Sequence, residues 1–385
     1  MHALFFFGSL RDKGLLEIVL GRPVLDSALR PAQAEGFAAL ELGHEAYPYL
    51  AERAGATAVG MVASGIDADD LARLEYFEEA EYGLAPIRVE TADGPVDAQY
   101  FRAAEKIDGK TLDQPWSFED WLTQEKPIAI AAAEELMGHF GIVPVEEMDT
   151  IWPGIMIRAR MRARARAEVP RTGNLRRARS ADEIEQISLE RPYTKYFALE
   201  DHVLRHRRFD GSWSEPMERT VLTSGDAVTV LPYDAHRDHV LLIEQFRAPI
   251  MARGDACPWG IEIVAGRLDK ENDPEACARR EALEEAGLTL GRMEQVAAYY
   301  PAPGFAAENI TAYVGEADLP LGEGVFGCAE ENEDIRAFTV SLDEALAAAA
   351  SGEINNGPAL ICLYWLQANR HRLAQEWAGG RLKSA

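Results

Sequence analysis

Cysteine, basic residues and long apolar runs are all scarce in this 385-residue sequence. The cysteines, at positions 257, 277, 328 and 362, form neither a paired metal-binding motif nor a disulfide framework, so a reducing compartment, the cytoplasm, is expected. Basic residues number 39 against 64 acidic ones, and the net charge of -25 argues against nucleic acid and anionic membranes as partners. No apolar stretch reaches the ~20 residues that span a bilayer. A small phosphate ligand whose charge a metal neutralises is compatible with this composition.

The length of the chain exceeds what a single hydrophobic core normally organises, which predicts two domains. The first, residues 1–145, mixes short apolar runs with helical segments and is predicted to be a small α+β domain. Its opening run, Phe5 to Phe7, follows no basic region and precedes no cleavage site, so we interpret it as a buried strand. Its last helix is predicted to have Pro127 in the first turn and to run to about Met137.

Residues 146–190 are predicted to connect the two domains, because arginine is concentrated there in an otherwise acidic protein. Two interpretations are open. One is an anion-binding or assembly segment, and the other is a solvated helix or linker that pairs with acidic neighbours, which is the commoner outcome for a charge run. The arginines are Arg158, Arg160, Arg162, Arg164, Arg166, Arg171, Arg176, Arg177 and Arg179.

The second domain, residues 191–385, contains alternating patterns that are typical of strands. They read AVTVLPYD, HVLLIEQFR and GIEIVAG. A helix and more strands follow, and then two predicted helices, DEALAAAASGE and PALICLYWLQANRHRLAQEWA. This order predicts an αβα sandwich in which helices cover both faces of a mixed sheet.

A short helix in the second domain carries the residues with the clearest chemistry. Asp273 is a good N-cap, Pro274 fits the first helical position, and Gly287 can adopt the left-handed conformation that ends a helix. Within that helix Glu281, Glu284 and Glu285 stand at i, i+3 and i+4, so their carboxylates share one face. Like charges repel unless a cation lies between them, and carboxylate oxygens are preferred ligands of Mg²⁺. The alternative is an exposed acidic stripe.

The segment GRLDKENDPEACARREALEEAGL resembles the Nudix box, Gly-x5-Glu-x7-Arg-Glu-U-x-Glu-Glu-x-Gly-U, where U is a bulky apolar residue. Seven positions agree in type and spacing: Gly266, Arg280, Glu281, Glu284, Glu285, Gly287 and Leu288. Ala282 and Asn272 depart from the motif, and Asn272 replaces its first glutamate, with Glu271 one residue earlier. The resemblance implies a Nudix hydrolase with a Nudix fold. A non-catalytic ADP-ribose-binding module is the alternative that Asn272 leaves open.

Segments outside the box, such as EQFRAP, YYPAPGFAAE and EENEDIR, resemble the ADP-ribose pyrophosphatase branch of the family. That resemblance implies cleavage of ADP-ribose to AMP and ribose 5-phosphate, with Mg²⁺ or Mn²⁺ as cofactor. It also implies a homodimer through this domain, in which residues 197–221 reach the partner's site. Another nucleoside diphosphate derivative, such as a nucleotide sugar, is the alternative substrate.

The same resemblance implies roles for individual residues. The carbonyl of Ala265 and the carboxylates of Glu281 and Glu285 would bind metal, with Glu284 and Glu333 as further ligands. Glu331 would be the base that activates water, and Glu285 would also be catalytic through the metal that it binds. Arg219 and Arg247 would contact the diphosphate or ribose, since a guanidinium matches a pair of phosphate oxygens.

In the first domain, Phe7, Gly8, Ser9 and Leu10 lie where a strand should end in a tight turn, and glycine there lets backbone N–H groups approach an anionic ligand. With the later segment LARLEYFEEAEYGLAPIRV, this turn resembles γ-glutamylcyclotransferase-like proteins, which implies a small β-barrel domain.

By that resemblance Glu78 is the proton shuttle, while Gly8, Ser9 and Leu10 bind the amino acid end of the substrate. Phe7, Glu75 and Glu79 stand where the family has Tyr, Asp and Gly. A binding role and a structural remnant therefore remain alternatives. Fusions with this domain order are similar to proteins associated with tellurite resistance.

Overall fold

The computed structural model describes residues 2–43, 47–78, 82–103, 111–168, 175, 177–269, 273–327 and 332–377. The chain forms two compact units. Unit 1 comprises Met1–Arg176 with Thr194–Tyr196, and unit 2 comprises Arg177–Tyr193 with Phe197–Ala385. Among the helices in these described ranges, none is both long enough and apolar enough to cross a membrane.

Unit 1 contains six strands and five α-helices among its described residues, besides short 3-10 turns. The strands are β1 (His2–Phe6), β2 (Leu29–Leu42), β3 (Pro48–Ile66), β4 (Tyr82–Thr91), β5 (Gly94–Ala103) and β6 (Thr111–Pro115). The helices are α1 (Lys13–Leu20), α2 (Ala68–Glu78), α3 (Phe118–Gln124), α4 (Lys126–Leu136) and α5 (Met148–Ala167). The predictions of a strand at Phe5 and of a helix with Pro127 in its first turn are confirmed.

The strands of unit 1 close into a barrel in the order β3-β1-β5-β4-β2, because β2 also pairs with β3. β6 adds to β2 outside this ring. Successive residues of β1 point to two different cores: Phe5 packs inside the barrel, while Leu4 and Phe6 pack against the helices. The apolar run is continuous because both faces of this strand are buried.

Helix α5 lies in the segment that we predicted as a connector, and it packs into the core of unit 1. Its buried face is formed by Met148, Ile151, Ile155 and Ala159, which recur every three or four residues. Arg158 is an exception to the expectation that the arginines of this segment are solvated, because its side chain is fully buried.

Unit 2 contains twelve strands and four helices among its described residues. The strands are β7 (Ile184–Thr194), β8 (Ala198–His206), β9 (Met217–Thr223), β10 (Ala227–Asp234), β11 (His239–Phe246), β12 (Trp259–Glu262), β13 (Val264–Arg267), β14 (Met293–Tyr299), β15 (Ala306–Ala307), β16 (Ile310–Glu316), β17 (Glu323–Phe326) and β18 (Ile335–Ser341). The helices are α6 (Ala248–Arg253), α7 (Pro274–Ala286), α8 (Leu342–Ser351) and α9 (Gly357–Trp377).

The main sheet of unit 2 is mixed and has helices on both faces. Its order is β14-β16-β10-β11-β18-β17, with β12 on β11 and β13 on β10, and the β10–β16 pair is parallel. One face packs against α7 and the other against α8 and α9. The predicted αβα sandwich, preceded by a small barrel domain, is confirmed.

The run GIEIVAG, which we predicted as a single strand, forms two. β12 pairs with β11 through Ile243 and Glu262, whereas β13 pairs with β10 through Val230 and Val264. The chain changes neighbours at Ile263, whose side chain is buried against the α8 and α9 face. This crossing brings Ala265 and Gly266 beside α7.

A separate four-stranded sheet of unit 2 has the order β15-β9-β8-β7. β7 is its edge, and most of its side chains are exposed. Exposed apolar residues on this strand include Ile184, Ile187 and Tyr193.

Candidate active site

Helix α7 begins and ends as its sequence predicts. The Asp273 side chain accepts a hydrogen bond from the backbone N–H of Glu275 at 3.0 Å, and Pro274 is the first helical residue. Gly287 ends the helix with φ of 63°, where a side chain would be strained. These caps fix which residues of α7 face the sheet.

Glu285 is the most deeply placed carboxylate of this helix, with 3% of its surface exposed. Its Oε2 accepts a hydrogen bond from the backbone N–H of Ala265 at 3.0 Å. Glu281 lies one turn earlier, so close to Gly266 that a Cβ there would lie 2.0 Å from Glu281 Oε1. Strand β13 and helix α7 can therefore approach this closely only with glycine at position 266.

The buried carboxylate of Glu285 and the partly buried carboxylate of Glu281 both resist ionisation. Burial raises the pKa of Glu285 to about 8, and the negative charges of Glu281 and Glu333 add to the effect. Burial likewise raises the pKa of Glu281 to about 7, although Arg280 opposes the shift. Two neighbouring carboxylates with strongly raised pKa values make this face of α7 a candidate functional site, unlike a solvated acidic stripe.

Arg247 is fixed next to this acidic cluster by a two-pronged ion pair. Its Nε and Nη2 donate to the two carboxylate oxygens of Glu262 at 3.0 and 2.8 Å. Although burial lowers the pKa of Arg247, the Glu262 hydrogen bonds and the charges of Glu285 and Glu333 raise it above its ordinary value. The third guanidinium nitrogen, Nη1, takes no part in this ion pair. Because Glu262 holds the guanidinium plane through the other two nitrogens, the direction of Nη1 is also fixed.

Gln245 is a residue of this face that sequence reasoning missed. It follows Leu241 and Ile243 on the side of β11 that packs against α7. It is 6% exposed, and its amide Nε2 has no hydrogen-bond partner in the described part of the chain. The sequence feature that could have indicated it is a polar residue, Gln245, at the next position of the series Leu241 and Ile243, which face the core. A buried donor of this kind normally binds a ligand oxygen or an ordered water.

The donor set fits a divalent cation. Carboxylate and carbonyl oxygens are the ligands that Mg²⁺ prefers, and burial raises the pKa of both carboxylates even though Arg280 pairs with Glu281 at 2.8 Å. Among the described residues no group of three or more acidic, histidine or cysteine side chains is arranged to hold a metal. The described donors at this point are the carboxylates of Glu281 and Glu285 and the main chain of Ala265.

The remaining predicted residues are placed differently. Glu284 is exposed, and its carboxylate accepts from Arg280 Nη1 at 2.7 Å. Glu333 is close enough to Glu285 and Arg247 to affect their pKa values. Arg219 is exposed and lies on β9 of the separate sheet. Its guanidinium donates to the carbonyl of Glu218 at 2.7 Å, and among the described residues it forms no hydrogen bond with the carboxylates of α7. Glu331 and Asn272 lie outside the described residues.

Unit 1 has a second candidate site at the end of β1. The consecutive residues Gly8, Ser9 and Leu10 and the distant Glu78 line one cavity of about 40 Å³ together with Tyr82. A Cβ at Gly8 would lie 3.0 Å from the ring of Pro48, so glycine permits the turn to pass close to β3. The structure thus brings together the residues that the sequence predicted for this domain.

Comparison with known proteins identifies both units. Residues 223–359 match the family described as NUDIX domain, and residues 4–123 match the family described as Gamma-glutamyl cyclotransferase, AIG2-like. ADP-ribose pyrophosphatase of Escherichia coli (strain K12) is 39% identical over 197 residues, 51% of this chain and 94% of that protein. The chain belongs to the Nudix hydrolase family.

Further relatives of the Nudix unit differ in their named substrates. ADP-ribose pyrophosphatase of Haemophilus influenzae is 36% identical over 200 residues, 51% of this chain and 92% of that protein. GDP-mannose pyrophosphatase of Klebsiella pneumoniae is 32% identical over 174 residues, 45% of this chain and 86% of that protein. The predicted Nudix family and the predicted γ-glutamylcyclotransferase-like domain are both confirmed.

Gly266→Ala tests the close approach of β13 and α7 in the Nudix unit. The added methyl would overlap the Glu281 side chain as far back as Cγ and push β13 and α7 apart, so hydrolysis should fall by about 10- to 100-fold and the melting temperature should fall as well. Steady-state kinetics and thermal unfolding measure the two effects. Gly357→Ala is the matched control, since a Cβ there meets nothing within 4 Å. Full activity of Gly266→Ala would show that the position of Glu281 is not important.

Proposed function

We propose that the Nudix unit hydrolyses ADP-ribose to AMP and ribose 5-phosphate. The observation that carries this proposal is the pair of carboxylates of Glu285, which is buried, and Glu281, which is partly buried, on the face of α7 next to Arg247. Supporting it, the relatives named ADP-ribose pyrophosphatase are matched over more than nine-tenths of their length. The identities are also higher than for the relative named GDP-mannose pyrophosphatase.

In this proposal Glu281, Glu285 and the carbonyl of Ala265 hold Mg²⁺, with Glu284 and Glu333 as further ligands and Mn²⁺ as a substitute. When bound, the metal neutralises the diphosphate and lowers the pKa of water at the site. The Glu285 carboxylate is kept in place by the Ala265 N–H, and the helix caps keep Glu281 on the same face.

The substrate-binding part of the proposal assigns Arg247 to the diphosphate. Its orientation by Glu262 leaves Nη1 for a phosphate oxygen without further loss of side-chain entropy. Arg219 is proposed to contact the substrate bound to the partner subunit, since the predicted homodimer carries residues 197–221 to the partner's site. Glu331 is proposed as the base because the sequence places it two residues before Glu333, whose charge raises the pKa of Glu285.

The homodimer is proposed to form through the separate sheet of unit 2. An edge strand of 11 residues exposes unpaired backbone groups and the apolar side chains Ile184, Ile187 and Tyr193. Such edges are normally covered by another strand or surface. None of the three described cysteines forms a disulfide, which agrees with the reducing compartment that we propose, the cytoplasm.

Product analysis tests the substrate assignment. The intact protein is incubated with ADP-ribose or GDP-mannose, with Mg²⁺ or with a chelator, and the nucleoside monophosphates are separated. We expect rapid AMP release from ADP-ribose, slower GMP release from GDP-mannose, and neither product with the chelator. The reverse order of rates would favour the nucleotide-sugar alternative, and metal-independent release would contradict the proposed metal site.

The raised pKa values predict how metal and pH act together on stability. The folded-state pKa values of Glu281 and Glu285, about 7 and about 8, lie above the ordinary value of 4.5, so the folded protein binds more protons than the unfolded chain in that range. Without metal, their contribution to stability therefore falls as pH rises from about 5 to about 8. Mg²⁺ binds the ionised form, so it should raise the melting temperature more at about pH 8.5 than at about pH 6.

Differential scanning calorimetry with and without Mg²⁺ at both pH values measures this coupling. The full chain is used, and the transition that moves with Mg²⁺ is assigned to the Nudix unit. An equal Mg²⁺ effect at the two pH values would contradict the coupling of metal binding to these carboxylates.

For unit 1 we propose γ-glutamyl cyclotransferase chemistry, with Glu78 as proton shuttle and the turn at Gly8, Ser9 and Leu10 binding the glutamyl end. The support is that these residues line one cavity and that the domain matches the corresponding family. Release of 5-oxoproline from a γ-glutamyl amide by the intact chain tests the proposal, and its absence overturns it.

A further inference from the structure

The segment Thr194–Tyr196, which we call the joint segment, connects β7 to β8 and packs with unit 1. Both of these strands belong to the four-stranded sheet of unit 2, where they are neighbours. A connection between neighbouring strands normally forms a turn on the surface of its own sheet. The packing of the joint segment with unit 1 therefore needs a specific cause.

Helix α5 accommodates the joint segment at Gly154. A Cβ at this position would lie 2.4 Å from the carbonyl oxygen of Lys195, which is closer than Cβ atoms approach other atoms in proteins. The atom in the way belongs to the main chain, so it cannot move aside as the end of a flexible side chain can. Glycine weakens the interior of a helix relative to alanine. Its presence in α5 is explained by the contact with Lys195.

One turn later on α5, Arg158 binds the joint segment through hydrogen bonds. Its Nη2 donates to Thr194 Oγ1 at 3.1 Å, and its Nη1 donates to the carbonyl of Lys195 at 3.5 Å. The same guanidinium is fully buried, and its Nε and Nη2 donate to Glu135, which fixes its direction. A buried guanidinium needs acceptors for its donors. The joint segment supplies two of them, so it completes a buried polar cluster of unit 1.

The residue that follows the joint segment contacts the strand of unit 2 that carries Ala265 and Gly266. The guanidinium of Arg267, the last residue of β13, lies 5.5 Å from the centroid of the Phe197 ring. Ala198, the next residue, is fully buried at the start of β8. Two residues of extended chain span at most ~7 Å. A displacement of Lys195 therefore also displaces the Phe197 ring or the start of β8.

We propose that Gly154 and Arg158 are positioning residues for the reaction of the Nudix unit, because they hold the joint segment and thereby fix Phe197 and the start of β8. This inference rests on the Nudix function proposed above, in which residues 197–221 form part of a substrate site. It gives unit 1 a role in that reaction besides any chemistry of its own. The carboxylates of α7 are held separately by the helix caps and by Ala265, so the joint segment affects substrate binding and not the chemical step.

Three variants of the full chain and one control test the proposal. Gly154→Ala adds a methyl that displaces Lys195, although alanine suits the helix itself. Thr194→Val removes the hydroxyl that accepts from Arg158 and keeps the shape of the side chain, whereas Thr194→Ser keeps the hydroxyl. Gly357→Ala is the control, since a Cβ there meets nothing within 4 Å. The readouts are kcat and KM for AMP release from ADP-ribose with Mg²⁺, and hydrogen exchange of the α4 and α5 amides.

We expect Gly154→Ala and Thr194→Val to raise KM about 10-fold while kcat changes less than about twofold, as for a loss of binding that leaves the chemical step intact. Thr194→Ser and Gly357→Ala should keep the KM of the parent. Hydrogen exchange in α4 and α5 should remain slow, which shows that unit 1 is folded. If exchange in α5 becomes fast in Gly154→Ala, the comparison of Thr194→Val with Thr194→Ser decides, because position 194 lies outside the helix.

Two results would overturn the inference and leave the Nudix function in place. One is a KM equal to that of the parent in Thr194→Val and in folded Gly154→Ala, and the other is a fall in kcat with no change in KM. If the intact chain does not hydrolyse ADP-ribose, the proposed function fails, and calorimetric binding of ADP-ribose decides. Weaker binding by Gly154→Ala than by Gly357→Ala would support the inference, whereas equal binding or none would overturn it.

Discussion

Glu285→Gln should lower kcat/KM for ADP-ribose by on the order of a thousandfold, about 4 kcal/mol of transition-state stabilisation. Glu285 is buried against Glu281 and Glu333 and has a pKa of about 8, so its carboxylate is available to a metal but poorly compensated without one. The amide has the same shape and still accepts from the Ala265 N–H, but it lacks the negative charge. Steady-state hydrolysis at saturating Mg²⁺ measures the loss.

A metal-binding role for Glu285 also predicts the opposite effect on stability. In metal-free buffer at about pH 8.5, Glu285→Gln should unfold at a higher temperature than the parent, because a buried and uncompensated charge is removed. Mg²⁺ should no longer raise its melting temperature as much. A structural glutamate would give lower stability together with lower activity, and that result would contradict the assignment.

Glu275→Gln is the matched control for this experiment. Glu275 lies in the first turn of the same helix, is half exposed, and pairs with Arg279 at 2.6 Å. The chemical change is identical, but exposed pairs of this kind contribute less than about 1 kcal/mol. Nearly full activity of Glu275→Gln would show that the effect at Glu285 comes from its position and not from a weaker helix.

The parts of the site that the sequence predicts are those determined locally. Asp273, Pro274 and Gly287 fix the bounds of α7, and the 3.6-residue period then places Glu281 and Glu285 on one face. The strands β10 and β11 also lie where the sequence pattern predicts strands, although nearly all of their side chains are buried. Each of these predictions needs only neighbours within a few residues along the chain.

The parts that the sequence does not predict depend on contacts between distant segments. The division of GIEIVAG into β12 and β13 depends on which strands lie beside it, and closure of the barrel depends on β2 pairing with β3. That the amide Nε2 of Gln245 has no hydrogen-bond partner among the described residues can be known only from the residues that surround it in space. The placement of Arg219 on another sheet likewise follows from tertiary pairing with β8.

The burial of Arg158 is the clearest feature that the sequence does not predict. The segment alternates arginine with alanine, and nothing in that pattern indicates which arginine is buried. Its side chain is fully buried in unit 1, where Nε and Nη2 donate to Glu135 Oε1 at 2.8 and 2.6 Å. Arg162 donates to the other carboxylate oxygen. Burial raises the pKa of Glu135, but the hydrogen bonds and charges of the two arginines outweigh it and hold the pKa below its ordinary value.

Glu135→Leu should destabilise unit 1 by about 3–5 kcal/mol, since it leaves the Arg158 guanidinium buried without a counter-charge. Hydrogen exchange of the α4 and α5 backbone amides, followed by mass spectrometry over a urea series, reports on unit 1 within the full chain. Glu134→Leu is the matched control: the neighbouring side chain is 41% exposed and pairs with the exposed Arg166, so its loss should cost less than about 1 kcal/mol.

Adding Arg158→Met to Glu135→Leu should restore most of the lost stability, because a buried ion pair replaced by apolar side chains of similar volume is often neutral or better. Arg162 keeps 17% of its side chain exposed and can turn its charge toward water when Glu135 is replaced. A double variant as unstable as Glu135→Leu would mean that packing, and not the unpaired charge, causes the loss. Recovery would show that this ion pair stabilises the fold only while both of its members are present.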